Sequence, residues 1–364
     1  MSVPAAARAT PPPMPDDPIT GPSAWRGEDL ARTDEWIHRL RPAELAELDA
    51  ALAAVKARGP EIAAIRRDDF PLPTLGPALA AMRRELLHGR GFVLVRGLPV
   101  ERYTLADAAT VFWGLGTHFG AARSQNAAGH LLGHVRDVGR DANDPNARVY
   151  QTRARQNYHT DSVDIVALLC WRKARSGGLS SLVSSVTAYN EMRARRPDLL
   201  PVMFEPFPTD RRGEVPAGKK PYFSVPIFNW HAGRLTTIYV RRYIESSQRF
   251  PDAPRLTDRQ REAMDVFDAI LEDPRLHLFM DFEPGDVQLV HNHQILHDRT
   301  AFEDWPEPER KRHLLRLWLC PPDGRPLPEC FADRYGSVTI GDRGGIVVPG
   351  ARLHLSLEAD DAGA

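Results

Sequence analysis

The sequence predicts a mainly β fold with helical decoration, built on a β-barrel or jelly-roll core. Three observations predict it. Short apolar or alternating runs bounded by Gly, Pro and Asn recur between residues 92 and 319. Helical spacing is concentrated in the N-terminal half. No internal repeat or linker interrupts the chain, so one domain over residues 25–364 is expected, with a helical part to about 120 and a β core over about 91–320.

Residues 1–24 are rich in Pro and Ala and lack the apolar stretch of a signal peptide, which predicts a disordered arm. The span 41–58 carries helix formers at helical spacing, and 75–88 gives a second amphipathic helix stopped by Gly89 and Gly91. The run 92–98 reads as a buried strand. Thr104 and Asp107 are spaced as a capping box opening a helix over 104–117. Loop signals follow at Gly139 and at 143–146, and 148–160 reads as extended. A strand over 162–171, a turn at Ser176-Gly177-Gly178, a strand over 181–186 and a helix over 188–195 come next. Strand-like runs recur at 222–228 and 235–240. Thr257 and Gln260 cap a helix with an apolar stripe, and 276–282 is again strand-like.

Lys and Arg total 47 and Asp and Glu 48, a formal charge of −1, so no basic excess steers the chain toward nucleic acid or a membrane surface. No apolar run approaches the roughly 18 residues of a membrane span. Cys170, Cys320 and Cys330 are too few and too far apart for a disulfide framework or a zinc site, and read as small buried residues in a reducing, cytoplasmic compartment.

Chemistry concentrates in three places. In Asn157-Tyr158-His159-Thr160-Asp161, an extended backbone puts His159 and Asp161 on one face, where imidazole and carboxylate suit iron(II), zinc or manganese. A turn at 284–286 then opens a strand leading to His291, His293 and His297. His293 and His297 lack the glutamate of the metalloprotease H-E-x-x-H pattern, so the zinc-protease reading ranks low. His297 joined to His159 and Asp161 would complete a two-histidine, one-carboxylate set with three open positions, leaving structural roles to His291 and His293. After a loop over 303–309, period two places Arg312, Leu314, Arg316 and Trp318 on one face. An inward guanidinium requires an anion. The alternative for these arginines is a surface pairing with Glu307 or Glu309.

The ordered set His159-x-Asp161, His297, then Arg312 and Arg316 at fifteen and nineteen residues beyond, resembles the iron(II)- and 2-oxoglutarate-dependent dioxygenases of the taurine dioxygenase and clavaminate synthase-like group. The turn and helix over 176–190 and the strand over 91–97 add to the likeness. The resemblance implies a double-stranded β-helix, with His159, Asp161 and His297 binding iron. It implies that Arg312, helped by Ser180, holds the distal carboxylate of 2-oxoglutarate, with O2 as the second cosubstrate. Arg316 matches a position that holds a substrate anion in some relatives. Because Asp161 keeps the carboxylate that related halogenases lack, hydroxylation of a C–H bond in a small anionic substrate, an amino acid or natural-product acid, is the implied outcome. Gln125, Asn126, Gln156, Asn157 and Tyr222 are further candidate pocket residues, whereas Arg241 and Arg242 read as a solvated face. A zinc hydrolase on the same ligands and a non-catalytic jelly-roll binder are the competing readings. The sequence leaves the oligomeric state open.

Overall fold

Alternation along one strand, His313–Cys320, sets the layering of the molecule. Leu315, Leu317 and Leu319 join a cluster with the helices on the outer face, while Leu314 and Trp318 join a cluster between two sheets. A side-chain period of two makes that division. The computed structural model describes residues 14–141 and 148–358.

The larger sheet runs in the order Ile37–Arg39, Phe92–Arg96, Val287–His291, Ile165–Arg172, His313–Cys320, Ala121–Arg123, and Leu132–Val135 also pairs with His313–Cys320. The smaller sheet is ordered His277–Met280, Ser180–Ser184, Ile295–Arg299, Gln156–His159. Phe92, Leu94, Val166 and Trp318 from the first meet Leu182, Leu278, Met280 and Ile295 from the second. Helices Pro42–Arg58, Gly76–His88 and Leu105–Gly116 cover the outer face of the larger sheet. Ser185–Arg195 and Asp258–Leu271 cover the outer face of the smaller one. No described helix is long and apolar enough to cross a membrane.

Local signals translate directly. The Thr104 hydroxyl accepts from the Asp107 backbone N–H while the Asp107 carboxylate accepts from that of Thr104, and Thr257 and Gln260 do the same. Elsewhere the chain departs from expectation. The helix expected at 188–195 starts at Ser185, because the Ser184 side chain caps it by accepting from Thr187 N–H. The run 222–228 is two strands, Tyr222–Pro226 and Phe228–His231, each paired in a separate hairpin.

Residues 1–13 and the loop at 143–146 lie outside the described residues. Residues 14–24, expected to belong to a disordered arm, instead lie on the helix Ser185–Arg195. The Asn190 side chain accepts from Ile19 N–H (2.9 Å) and donates to Ile19 O (2.7 Å), and Met14, Ile19 and Ala24 pack on the adjoining core. Two backbone hydrogen bonds and apolar anchors overcome a composition that favours disorder. Cys170 and Cys320 are buried, but Cys330 is exposed, because Phe331 takes the inward position beside it.

Candidate metal and cosubstrate site

His297 sits in the middle of Ile295–Arg299 rather than at a strand end, and its backbone partner across the smaller sheet is His159. Directly paired residues bring their side chains together, and the two rings lie 4.1 Å apart at their centroids. Two residues on, the Asp161 Oδ1 is 3.9 Å from His159 Nε2. The intervening Thr160 is pinned to Tyr239: its N–H donates to Tyr239 O (2.8 Å) and its hydroxyl accepts from Tyr239 N–H (2.9 Å). One ligand atom each from His159, Asp161 and His297 lie within 4.8 Å of one another.

Protonation suits a cation. His159 Nδ1 lies 2.8 Å from the Asn157 carbonyl, so Nδ1–H donates and leaves the Nε2 lone pair outward, where the Gln156 amide now sits 2.8 Å away. Burial depresses both imidazoles, His297 to about 3, so both are neutral at physiological pH. His297 Nδ1 is buried without a hydrogen-bond partner. Burial alone would raise Asp161, but Arg316, the two imidazoles and the Trp318 N–H outweigh it and hold the carboxyl below its usual range.

Asp161 is held through one carboxylate oxygen and through its backbone. Asp161 Oδ2 accepts from Trp318 Nε1 at 2.9 Å and lies 3.5 Å from Arg316 Nη1. Asn292 accepts from Asp161 N–H (2.7 Å) and donates to Asp161 O (2.6 Å). Arg316 in turn donates from Nε to Gln125 Oε1 (2.7 Å), with its guanidinium over the rings of Tyr150 and Trp318. Gln125 closes the bracket by donating to the carbonyl oxygens of Arg316 (2.7 Å) and Leu131 (3.1 Å).

A narrow cavity between the sheets connects the triad to Arg312, Leu314 and Ser180. Arg312 is 4% exposed, and no carboxylate oxygen of the described residues comes within salt-bridge distance of it. Glu307 instead faces Arg310. Burial lowers the Arg312 guanidinium to about 10, still cationic at neutral pH, and its Nη1 is buried with no partner. A cation in that position calls for an anion. Gly178 makes the approach possible: its φ is +71°, and a Cβ there would stand 3.0 Å from Arg312 Nε. The Ser180 hydroxyl faces the same cavity and accepts from Gln288 Nε2 at 3.1 Å. A neutral two-histidine, one-carboxylate set beside an uncompensated buried guanidinium fits a metal ion with an anionic co-ligand.

A second, wider cavity of about 260 Å³ shares His159 and Asp161 with the first and is lined by Asn157, Trp318, Phe223, Ile238 and several arginines. Arg241 and Arg242, expected on a solvated face, line it; Arg241 is tethered by Glu245, Asp265 and Asp268. Asn126 and Tyr222 are not among its lining residues. Asn126 bonds to His130, and the Tyr222 hydroxyl donates to Asp252 O (2.8 Å) while its ring stacks on Phe250. His293 bonds Asp164 (3.0 Å) and His291 bonds Arg325 (3.1 Å), inside the buried Asp164–Arg343 network. Sequence reasoning passed over Asn292 and Arg334. Trp318, on the arginine face by its parity, carried a usable signal; Arg334, beyond the last motif, carried none.

The family model described as "Taurine catabolism dioxygenase TauD, TfdA family" matches residues 54–318. The "FR-33289 synthase" of Streptomyces rubellomurinus is 32% identical over 88% of this chain and 95% of its own length. The "Taurine hydroxylase-like protein SAT17" of Stachybotrys chartarum is 30% identical over 82% of this chain and 81% of its own. Among solved structures, an asparagine oxygenase in complex with Fe(II), 2S,3S-3-hydroxyasparagine and succinate superposes with a TM-score of 0.59 at 16% identity, over 78% of this chain and 93% of its own, a likeness of fold.

Proposed function

The chain belongs to the TauD/TfdA dioxygenase family, and on that premise we propose that His159, Asp161 and His297 hold iron(II) while Arg312 and the Ser180 hydroxyl hold the distal carboxylate of 2-oxoglutarate. The protein is an Fe(II)- and 2-oxoglutarate-dependent dioxygenase. The two sheets and their inter-sheet core are read as a double-stranded β-helix, and residues 25–364 as one oxygenase domain. Bound iron supplies the centre at which oxidative decarboxylation of 2-oxoglutarate by O2 is coupled to hydroxylation of a substrate C–H bond.

The chain's own residues prepare that centre. Two neutral imidazoles and one ionised carboxylate give the ion a donor set with open positions. Trp318, with Arg316 held by Gln125 behind it, acts as a positioning residue that engages Asp161 Oδ2. Leu314, Val166 and Phe282 line the narrow cavity and keep bulk water from the Arg312–carboxylate contact, where low polarity strengthens it. The wider cavity, with Asn157 in its wall, receives a small anionic substrate of the amino-acid or natural-product-acid kind, in a cytoplasmic protein with no nucleic-acid or membrane partner.

The observation that carries this reading is the buried, uncompensated guanidinium of Arg312 in one cavity with the triad. A zinc hydrolase or an inert binder has no use for it. Anaerobic addition of iron(II) and 2-oxoglutarate should give a metal-to-ligand charge-transfer band. Arg312→Ala should weaken 2-oxoglutarate binding about a hundredfold, the order of a lost buried charge pair, with iron binding intact. A variant that binds 2-oxoglutarate as tightly as wild type would refute the assignment.

A further inference from the structure

We propose that Arg334 anchors an oxyanionic group of the substrate, a carboxylate, phosphate or phosphonate, in the wall of the wider cavity. The proposal rests on reading the neighbouring triad as the iron centre.

Arg334 lies in the short helix Ala332–Tyr335, beyond the segment matched by the family model. Its side chain lines the wider cavity together with His159 and Asp161. Nε donates to the Ser162 hydroxyl at 2.7 Å, and the guanidinium carbon sits 5.5 Å from the centre of the Phe223 ring. These contacts fix the plane of the fork beside Ser162 while the two terminal nitrogens keep no hydrogen-bond or salt-bridge partner among the described residues.

Nearby carboxylates are already taken. Glu214 pairs with Arg148, Asp333 with Arg211 (3.0 Å) and Lys219 (2.9 Å), and Glu245 with Arg241 (2.7 Å). Arg148 and Arg211 repel Arg334, and Glu214 attracts it from beyond salt-bridge distance. Arg316, the other guanidinium near the triad, is engaged by Gln125 and Asp161. Among the described residues lining the cavity, Arg334 is thus a planar cation whose terminal edge is unspent. Carboxylates and phosphoryl groups match that edge, and a guanidinium fixed in plane gives up little entropy on binding them. An oxyanion held there would orient the rest of a small substrate toward the metal side of the cavity.

The test uses full-length protein with iron(II) and saturating 2-oxoglutarate, without oxygen and at matched ionic strength. The charge-transfer band reports the underlying iron reading, and its absence in the wild type would bring down that reading and this one together. With the band present, inorganic phosphate, methylphosphonate and acetate are titrated calorimetrically into wild type, Arg334→Ala and Arg334→Lys. The expected result is that Arg334→Ala keeps the band and its 2-oxoglutarate affinity within about twofold but binds the probes roughly tenfold or more weakly, with Arg334→Lys between. Preference for phosphate and methylphosphonate over acetate marks a phosphoryl or phosphonyl group, and the reverse marks a carboxylate. A wild type that binds none of the three, or a banded Arg334→Ala that binds them as wild type does, overturns the proposal. Should Arg334→Ala fail to fold, unchanged probe binding by Arg334→Lys overturns it instead.

Discussion

An ionised carboxylate beside two buried imidazoles depends on what holds its second oxygen. At Asp161 that is chiefly the Trp318 indole, 2.9 Å away, with the Arg316 guanidinium at the longer distance of 3.5 Å. Groups that orient a metal ligand commonly contribute 10- to 100-fold in metal affinity. Trp318→Phe removes the N–H and keeps an aromatic ring, so iron(II) affinity, read from the charge-transfer band, should fall about tenfold. The smaller ring leaves a cavity costing roughly 1–3 kcal/mol, which should lower the melting temperature of the metal-free protein. Unchanged iron affinity would mean that Trp318 only packs.

At the scale of an element, the turn before Ser180–Ser184 ties backbone shape to cosubstrate binding. Gly178 has φ of +71° and faces the Arg312 side chain. Gly178→Ala therefore strains the turn, at about 1 kcal/mol, and presses on Nε of Arg312, the residue proposed to hold the 2-oxoglutarate carboxylate. The expected outcome is a several-fold rise in KM for 2-oxoglutarate at unchanged iron affinity, because a displaced guanidinium loses part of its bidentate fit. A KM equal to wild type would show that the side chain shifts without consequence. What could be read beforehand follows the same division between local and distant. The caps at Thr104 and Thr257, the face shared by Arg312, Leu314 and Arg316, and the His159-x-Asp161 pair are short-range patterns, and the chain spells them out. That His159 faces His297 follows from strand register, which no local pattern in the sequence displays. Gln125 looked like a turn or pocket residue because nothing near it in sequence says that Arg316 lies above it. Arg334 and the docking of residues 14–24 depend wholly on tertiary partners.

At the scale of the molecule, burying so many histidines makes stability a function of pH. His118, His159, His291, His293, His297 and His313 are all depressed, burial being the leading cause, with His297 and His313 at about 3. A folded-state value below the unfolded value of about 6.5 means that the unfolded chain takes up protons that the folded chain refuses. Stability from these groups is thus fully present above pH 6.5 and declines as pH falls, by roughly 1.4 kcal/mol for each pH unit below it at His297 and His313, whose folded values lie near 3. Asp298, raised by burial to about 6, and Asp268 and Asp304, also raised, work in the opposite sense, because their folded forms keep protons that the unfolded chain has released. They are three against six, and Asp298 reaches its half-point only near pH 6, so the histidines govern the neutral side. The urea midpoint of metal-free protein should fall steadily from pH 7.5 to 5.5, by the equivalent of several kcal/mol, with the slope of the unfolding transition unchanged. Iron(II) should raise the midpoint most at neutral pH, since His159 and His297 must be unprotonated to bind it. A midpoint that stays flat or rises between pH 7.5 and 5.5 would show that these imidazoles are protonated in the folded protein, and with that the neutral ligand set at the centre of the site would be lost.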